Sequence, residues 1–174
     1  NGSQAMTIDT SQRVGIGTAS PSTILEIASG DAGGDGAAGS PTFRINNTTE
    51  SADWDVGDVV GTIEYYSSDA SGNAPYVTSF IKSVNETGNG TLPDGALTFG
   101  TATYNASGGA IERMRIDSSG NLLVGKTSSG LNTAGVEFAS SGRSRFTRDG
   151  NNVAEFNRKT SDGSIVSFNK DATA

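Results

Sequence analysis

Apolar and polar residues alternate with a period of two through the middle of this chain. The runs at 58–66, 76–84 and 96–104 are dominated by β-branched and aromatic residues at alternating positions. Such alternation is typical of strands that have one covered face. The segments at 67–75 and 85–95, which separate these runs, are rich in Asp, Asn and Gly, and these residue types favour turns. The pattern therefore predicts a meander of short antiparallel strands, and no stretch has a helical period.

A strand–turn–strand pattern occurs twice in the sequence. Residues 5–21 (AMTIDTSQRVGIGTASP) and 112–129 (ERMRIDSSGNLLVGKTSS) align at an offset of 108. The similarity extends to LEIAS at 25–29 and VEFAS at 136–140, at an offset of 111, so the repeated unit is a hairpin, a loop and a strand. A unit this small cannot bury its apolar face alone. The identical pairs include Met6 with Met114, Ile8 with Ile116, Asp9 with Asp117, Ser11 with Ser119, Gly17 with Gly125 and Ser20 with Ser128.

Composition divides the chain into five segments. Residues 30–40 are almost entirely Gly, Ala, Ser and Asp, which cannot pack a core and therefore predict a linker or an exposed loop. Near the end of the chain, Asp162-Gly163 is a strong hairpin signal. The predicted segments are a first hairpin repeat at 1–29, the linker at 30–40, a β-meander domain at 41–112, a second hairpin repeat at 113–140 and a β-hairpin segment at 141–174.

The chain is poor in apolar residues for its length. Of its 174 residues, 33% are hydrophobic and 24 are glycine, so a single chain would bury little apolar surface per residue. Burial between chains is the remaining route to stability. Three identical chains around one axis would let each hairpin bury its apolar side against two copies of itself, and we therefore predict a homotrimer. Because the sequence starts without Met and stops within a pattern, we expect an interior fragment of a longer protein.

Charge and missing residue types limit the possible chemistry. The net charge is −7, with 12 Lys and Arg against 19 Asp and Glu, which argues against binding to nucleic acid or to anionic membranes. Without Cys and His, the chain cannot supply a thiol nucleophile, a Ser-His-Asp triad or the usual zinc ligands. No apolar run approaches the ~20 residues of a membrane helix. We expect no cofactor, no nucleic-acid partner and no membrane insertion.

Several of these motifs resemble segments of the long tail-fibre proteins of tailed bacteriophages, many of them marine. The resemblance rests on ERMRIDSSGNLLVGKTSS and on VGIGTASPSTILEI. The stretch at 57–102 resembles a β-rich block that often precedes ERMRIDSSGN in such fibres. FNRKTSDGSIVSFNKDATA, at 156–174, resembles a segment that is often followed by more fibre and a self-cleaving chaperone domain. The first copy has TSQR at 10–13 where these fibres usually have a Gly-containing turn, so we expect its turn to differ.

The resemblance implies an elongated all-β fibre segment, built as an intertwined homotrimer with a β-rich domain between two shaft repeats. It also implies a location in the virion, outside the cell, after synthesis in the cytoplasm of the bacterial host. The implied function is structural support of host attachment, in contact with other tail or fibre proteins. The alternative is a carbohydrate- or receptor-binding module of a fibre or adhesin, which would contact a host surface glycan or protein. Exposed aromatics near loop tips would favour the alternative, whereas burial of Trp54, Tyr65 and Tyr66 at a three-fold axis would favour the structural role.

One acidic cluster surrounds the only tryptophan of the chain. Three interpretations stay open for it. Trp54 with Asp53 and Asp55 is a candidate glycan contact. Asp53, Asp55 and Asp58 include the two carboxylates that a glycosidase needs. Alternatively, the cluster is a loop that enters the next strand, with Trp54 as an anchor in the core or at an interface. On a strand, Asp53 and Asp55 would share one face and Trp54 would point away. We predict adhesion without cleavage and therefore no catalytic residues.

Two glycine-rich stretches have alternative interpretations of their own. Asp31 and Asp35 offer oxygen ligands of the kind that calcium prefers, but two carboxylates without a repeat are better explained as part of a solvated loop, and we predict no metal site. The Gly-x-Gly at 14–18 is not followed by a phosphate-binding loop and helix. Gly15 and Gly17 are therefore interpreted as close-packing or bulge positions.

Overall fold

The computed structural model describes residues 5–29, 39–68, 76–88, 93–104, 109–157, 159 and 163–168. In these residues the protein is all-β, as the alternation predicts, with one 3₁₀ turn at Ser51–Asp53. Most of the predicted linker at 30–40, including Asp31 and Asp35, lies outside the described residues, as does Asp162. The strands are β1 Met6–Ile8, β2 Val14–Ile16, β3 Leu25–Ile27, β4 Val59–Ser67, β5 Tyr76–Asn85, β6 Gly95–Thr101, β7 Ile111–Ile116, β8 Leu122–Val124, β9 Gly135–Phe138 and β10 Ser144–Thr147.

The chain divides into two compact units, residues 1–45 and 46–174. In the first unit, β1 and β2 form the predicted antiparallel hairpin. β3 pairs with β2 in parallel, which the antiparallel meander did not predict. This pairing is possible because the chain returns along the hairpin before β3 begins. Gly15 marks the return, because a Cβ there would lie 2.5 Å from the carbonyl oxygen of Thr18. The close-packing interpretation of Gly15 is confirmed.

The second unit contains one seven-stranded antiparallel sheet in which each strand lies beside its neighbours in sequence, from β4 to β10. For β4, β5 and β6 this order is the predicted meander, and β7–β10 extend it. The predicted domain boundary between residues 112 and 113 falls inside β7, and β7 pairs with β6 over Leu97–Thr101. The second hairpin repeat, β7 and β8, is therefore part of the same sheet as the block before it.

The segment at 141–174 contributes one strand to the sheet. β10 pairs with β9, with Ser144 opposite Phe138, across a turn in which the Ala139 N–H donates to the Arg143 carbonyl. The described residues after β10, at 148–157, 159 and 163–168, form no strand. β10 of this segment thus forms a hairpin with the strand before it, whereas the turn predicted at Asp162-Gly163 lies partly outside the described residues.

The two copies of the hairpin repeat form the same turn. In the first, the Asp9 N–H donates to the Arg13 carbonyl and the Gln12 N–H donates to the Asp9 carbonyl, both at 3.0 Å. The second copy repeats both bonds around Asp117, at 3.0 and 2.9 Å. Gln12 takes a left-handed φ of 62°, close to the 80° of Gly120 at the same place. The prediction that the first turn differs is wrong, because the turn's hydrogen bonds hold Gln12 in a conformation that glycine adopts more easily.

The core of the second unit is small and mixed in polarity. Its fully or nearly buried apolar side chains, among the described residues, are Trp54, Phe80, Ala96 and Leu123. The Phe80 ring covers Gly100 of the neighbouring strand, where a Cβ would collide with it. Polar and charged side chains are buried as completely as the apolar ones, although such residues are seldom fully buried without partners. They are Asn85, Thr98, Asn121, Lys126 and Glu137.

Candidate functional site

The candidate glycan residues lie in a loop that is fixed to the end of β5. Trp54 is 5% exposed, so its indole ring offers no open stacking surface. Asp53 belongs to the 3₁₀ turn, and Asp55 lies between that turn and β4. Neither residue is part of a strand, so the arrangement expected for a strand, with both carboxylates on one face, does not apply. The Asp58 carboxylate accepts a hydrogen bond from the Asp55 N–H at 2.7 Å. This geometry agrees with the third interpretation, a loop that leads into the next strand and has Trp54 as its buried anchor.

Asn85 joins this loop to two further segments. Its amide Nδ2 donates to the Asp55 carbonyl at 2.9 Å and to the Thr87 carbonyl at 2.5 Å. Its Oδ1 accepts from the backbone N–H groups of Thr87 and Asp94, both at 3.1 Å. Asn85 is 1% exposed, and a buried amide is stable only when its polar atoms are paired in this way. The cluster around Trp54 is thus held by an internal network.

The two faces of the seven-stranded sheet differ in charge. Residues that pair directly across antiparallel strands share a face, and the strand registers therefore assign each paired residue to one side. Outside the bulge at Arg113, every charged residue of the described strands β4–β10 lies on the same side, which we call the charged face. These residues are Glu64, Lys82, Glu112, Arg115, Glu137 and Arg145.

Glu137 is the centre of one network of ion pairs and hydrogen bonds on the charged face. Its side chain is fully buried, and it pairs with Arg145 at 2.5 Å and with the buried Lys126 at 3.4 Å. It also accepts hydrogen bonds from the Gly130 N–H at 2.9 Å and from the Ser129 hydroxyl at 2.8 Å. The Gly130 bond is the main cause that lowers the pKa of Glu137 to about 2, against the opposing effect of burial. The carboxylate is therefore ionised and its partners hold the loop after β8 against the sheet.

Arg115 forms a second network on the same face. Its guanidinium donates to both carboxylate oxygens of Glu112, at 2.6 and 2.8 Å, and to Glu86 at 2.5 Å. The second Glu86 oxygen accepts from the Ser118 N–H at 2.7 Å. Pairing with Glu112 raises the pKa of Arg115. Like Glu137, Arg115 ties strand residues to the chain outside the strands, so the protein itself covers the charged face around these two residues.

The opposite face is uncharged and open, and its polar residues include Ser79, Ser83, Thr101 and Ser144. One row of side chains crosses all seven strands on this face without a polar residue, and we call it the apolar row. None of the described strand residues on the face is charged. Large side chains of the face are exposed by between 39% and 45% at Ile63, Leu97, Ile116, Val124, Phe138 and Phe146. The apolar row consists of Ile63, Ile81, Phe99, Met114, Val124, Val136 and Phe146.

The first unit has the same arrangement on a smaller scale. Met6 and Ile16 pair across its hairpin at the positions that Met114 and Val124 occupy in the second copy. Met6 and Ile16 are also exposed. On the other side, the chain after β2 folds over Gly15, and Pro21 of this returning segment is fully buried. In each unit the chain covers one face of its own hairpin and leaves the apolar face open.

All four tyrosines of the chain lie at one end of the strands β4, β5 and β6. Tyr65 and Tyr66 are near the end of β4, Tyr76 opens β5 opposite that end, and Tyr104 follows β6. Tyr65 and Tyr66 are exposed, and Tyr104 is 84% exposed. The aromatic residues that were to distinguish the two functions thus divide, because Trp54 is buried within its own chain whereas Tyr65, Tyr66 and Tyr104 are exposed.

Comparison with known proteins adds no family. No family model matches the chain, and a search of curated proteins finds no match. Among the described residues, no helix is long and apolar enough to cross a membrane. The same residues contain no group of three or more acidic side chains placed to hold a metal ion.

Sequence reasoning missed the charged face and the apolar row as continuous features. Alternation within each strand was visible, but which side of one strand continues into the next depends on register. The three charged residues of the Glu137 network lie at positions 126, 137 and 145, and nothing in their spacing along the sequence indicates that they are in contact. The signal that could have found them is the position of single charges at alternate places in otherwise apolar strands, as in GVEF at 135–138.

Proposed function

We propose that this chain is a structural segment of a trimeric tail fibre of a tailed bacteriophage, an appendage of the virion that supports attachment to the host. The observation that carries the proposal is the recurrence of one hairpin, with the same turn and the same open apolar side, at two points of the chain. Repeated units that cannot bury their own apolar side are stabilised by neighbours. In a closed symmetric assembly, identical chains supply these neighbours.

A structural role also agrees with the state of the acidic cluster. Asp58 is engaged with the Asp55 backbone, and Trp54 is covered by its own unit. A glycosidase needs two carboxylates beside an open sugar site, one of them held protonated near neutral pH. Nothing in the geometry of this loop provides such a site, and the proposed role is without catalysis.

The shape and mass of the particle in solution test the proposal. Small-angle scattering with light scattering should give an elongated particle with the mass of three chains, because fibre segments extend along the symmetry axis. Electron microscopy of the same sample should show rods of uniform width. A compact particle with the mass of one chain would overturn the proposal.

One observation favours a second candidate function, the binding of a carbohydrate or a receptor by the same fibre. The four tyrosines gather at one end of β4–β6, and exposed Tyr side chains combine an apolar ring with a hydroxyl that can hydrogen-bond. Aromatic residues of this kind are enriched where proteins bind partners. The aromatic end would then act as the contact, and the sheet as its support.

A glycan-binding screen tests this second candidate. The intact chain should retain at least one host-surface glycan, and Tyr66→Ala and Tyr104→Ala should weaken retention at least tenfold. Phe156→Ala is the matched control, because Phe156 is 65% exposed and lies outside the tyrosine cluster. Equal loss in the control, or retention that ignores both tyrosines, would remove the aromatic end as the binding site.

A further inference from the structure

We propose that the open face of the seven-stranded sheet, which carries the apolar row, is the surface through which copies of this chain associate, sheet against sheet. This inference rests on the proposed fibre function and identifies its contact surface. A sheet with one apolar face is stable only when another layer covers that face. In the second unit the charged face is already covered around Glu137 by the loop after β8 and around Arg115 by the segments fixed to it. The open side is therefore where the missing layer belongs.

The chemistry of the open face selects its partner. It has no charge on the described strands, although the whole chain carries a net charge of −7. A charged ligand, such as nucleic acid or an acidic polysaccharide, would find no complementary group on it. An uncharged, slightly twisted apolar sheet is complementary to another sheet of the same kind, at a spacing of about 10 Å. A second copy of this chain presents such a sheet.

The hairpin repeat makes a second copy the partner that fits both units. The open positions of the first hairpin, Met6 and Ile16, match Met114 and Val124 of the second. A copy of the chain supplies the same two surfaces in the same order, so both hairpins are covered by one kind of contact. An unrelated partner would have to carry the same repeat to do so.

The available area agrees with association among several copies. Taking about 150 Å² for a large apolar side chain, the six open-face residues with 39–45% exposure present roughly 400 Å². That value lies within the largest patches of ordinary monomers and is about half of one partner's share in a standard interface. The open residues of the first hairpin add to it. A single weak contact is thus possible through one unit, and a stable one requires both.

The first test places a charge in the open face. Leu97→Lys inserts an ammonium group into the surface that is proposed to become dry, whereas Leu131→Lys makes the same change at a residue that is 66% exposed in the loop between β8 and β9. We expect the control to keep the wild-type mass in light scattering and the Leu97→Lys protein to need at least a tenfold higher concentration to associate. Equal association of the two variants would overturn the inference.

The second test leaves the assembly intact. The chain has no cysteine, so Ile116→Cys introduces a single thiol on the open face and Leu131→Cys a single thiol in the control loop. In the associated protein, alkylation at 116 should be at least tenfold slower than at 131, and dilution toward free chains should remove the difference. A thiol at 116 that reacts as fast as the control in the associated protein would contradict the inference.

The two experiments separate this inference from the fibre proposal. If the wild-type protein stays a single chain at every concentration, the trimer fails and the contact surface fails with it. If the protein forms trimers and the thiol at 116 remains reactive, the fibre proposal stands and only the open face is rejected as the contact surface. Protection at 116 that persists in single chains would mean that the chain covers this face itself, which also rejects the inference.

Discussion

Gln12 and Gly120 occupy the same position of the same turn, 108 residues apart, and both have a left-handed backbone. The turn is set by the residue that begins it. Asp9 and Asp117 each use Oδ1 to accept the N–H groups two and four residues later. In the first copy these bonds lower the pKa of Asp9, chiefly through the Arg13 N–H. The aspartate at the start of the turn thus specifies its geometry, and a glycine at the fourth position adopts the required left-handed backbone at lower cost.

The first prediction concerns the strained position. Gln12→Gly should stabilise the first unit by about 0.5–1 kcal/mol, because a left-handed conformation costs an L-residue roughly 1–2 kcal/mol and glycine loses part of that gain to its freer unfolded chain. Thermal unfolding of the variant measures the change. Ser11→Gly in the same turn is the control, and it should not stabilise, since Gln12 is the one non-glycine residue with a positive φ among those described. A lower melting temperature for Gln12→Gly would refute the assignment.

The second prediction concerns the aspartate of the second turn. Asp117→Ala should destabilise the protein by roughly 1–3 kcal/mol, because the Ser119 and Asn121 N–H groups lose their acceptor. Chemical denaturation gives the value. Asp117→Asn keeps an acceptor oxygen and should recover part of the loss. Asp149→Ala changes an exposed aspartate outside the turn and should stay within ~0.5 kcal/mol of wild type. Similar losses at 117 and 149 would show that the side chain does not hold the turn.

The third prediction is a dependence of stability on pH through Glu137. Folding lowers the pKa of Glu137 from its ordinary 4.5 to about 2. The sign follows from linkage: a depressed carboxyl pKa contributes stability that is complete above pH 4.5 and is lost as the pH falls toward 2. Denaturation curves between pH 6 and pH 2 should therefore show falling stability in the wild type.

Variants of the same network isolate this contribution. In Glu137→Gln the stability should change less between about pH 4.5 and pH 2, since the titrating group is gone. Because this variant leaves Lys126 buried without its carboxylate, the double change Lys126→Met with Glu137→Leu provides a second protein that also lacks the titration. Glu64→Gln, on the exposed part of the charged face, should keep the wild-type dependence. Identical pH profiles for all four proteins would contradict the role of Glu137.

The fourth prediction distinguishes an anchor from a glycan contact at Trp54. As the only tryptophan and 5% exposed, it should emit at short wavelength and be poorly quenched by iodide. Trp54→Ala should cost about 3–5 kcal/mol, as removal of a large buried aromatic does. Saturating surface glycan should leave its emission unchanged. A ligand-dependent shift that Asp53→Asn or Asp55→Asn abolishes would restore the glycan interpretation.

The alternation of residues was enough to predict the all-β fold and the antiparallel order of β4, β5 and β6. In the run at 58–66 the register places Gly61, Ile63 and Tyr65 on one face, opposite Ser83, Ile81 and Ser79, as a period of two requires. This succeeded because side-chain direction along a strand has a fixed period. Val59 lies on the opposite face from Gly61, because the register shifts between these two residues. Bulges add a residue to one strand, and the alternating pattern alone does not reveal them.

The candidate site depended on information that strand patterns do not contain. A strand would have placed Asp53 and Asp55 on one face, but the Asp55 N–H finds its acceptor in Asp58 and the segment turns, as the loop interpretation has it. Short acidic residues favour such local bonds to the backbone. The parallel pairing of β3 with β2 likewise depends on the path of the chain over Gly15, which is set by packing. The face of the sheet that stays exposed is determined by the paths of the connecting segments, and the composition of the chain does not reveal these paths.

Light scattering of the purified chain across a concentration series tests the central claim most directly. The account predicts a mass three times the 17.7 kDa of one chain at micromolar concentration, and a shift of that assembly to higher concentration in Leu97→Lys but not in Leu131→Lys. A folded wild-type protein that keeps the mass of one chain throughout the series would contradict the account, because the apolar row would then be stable in water without a second copy.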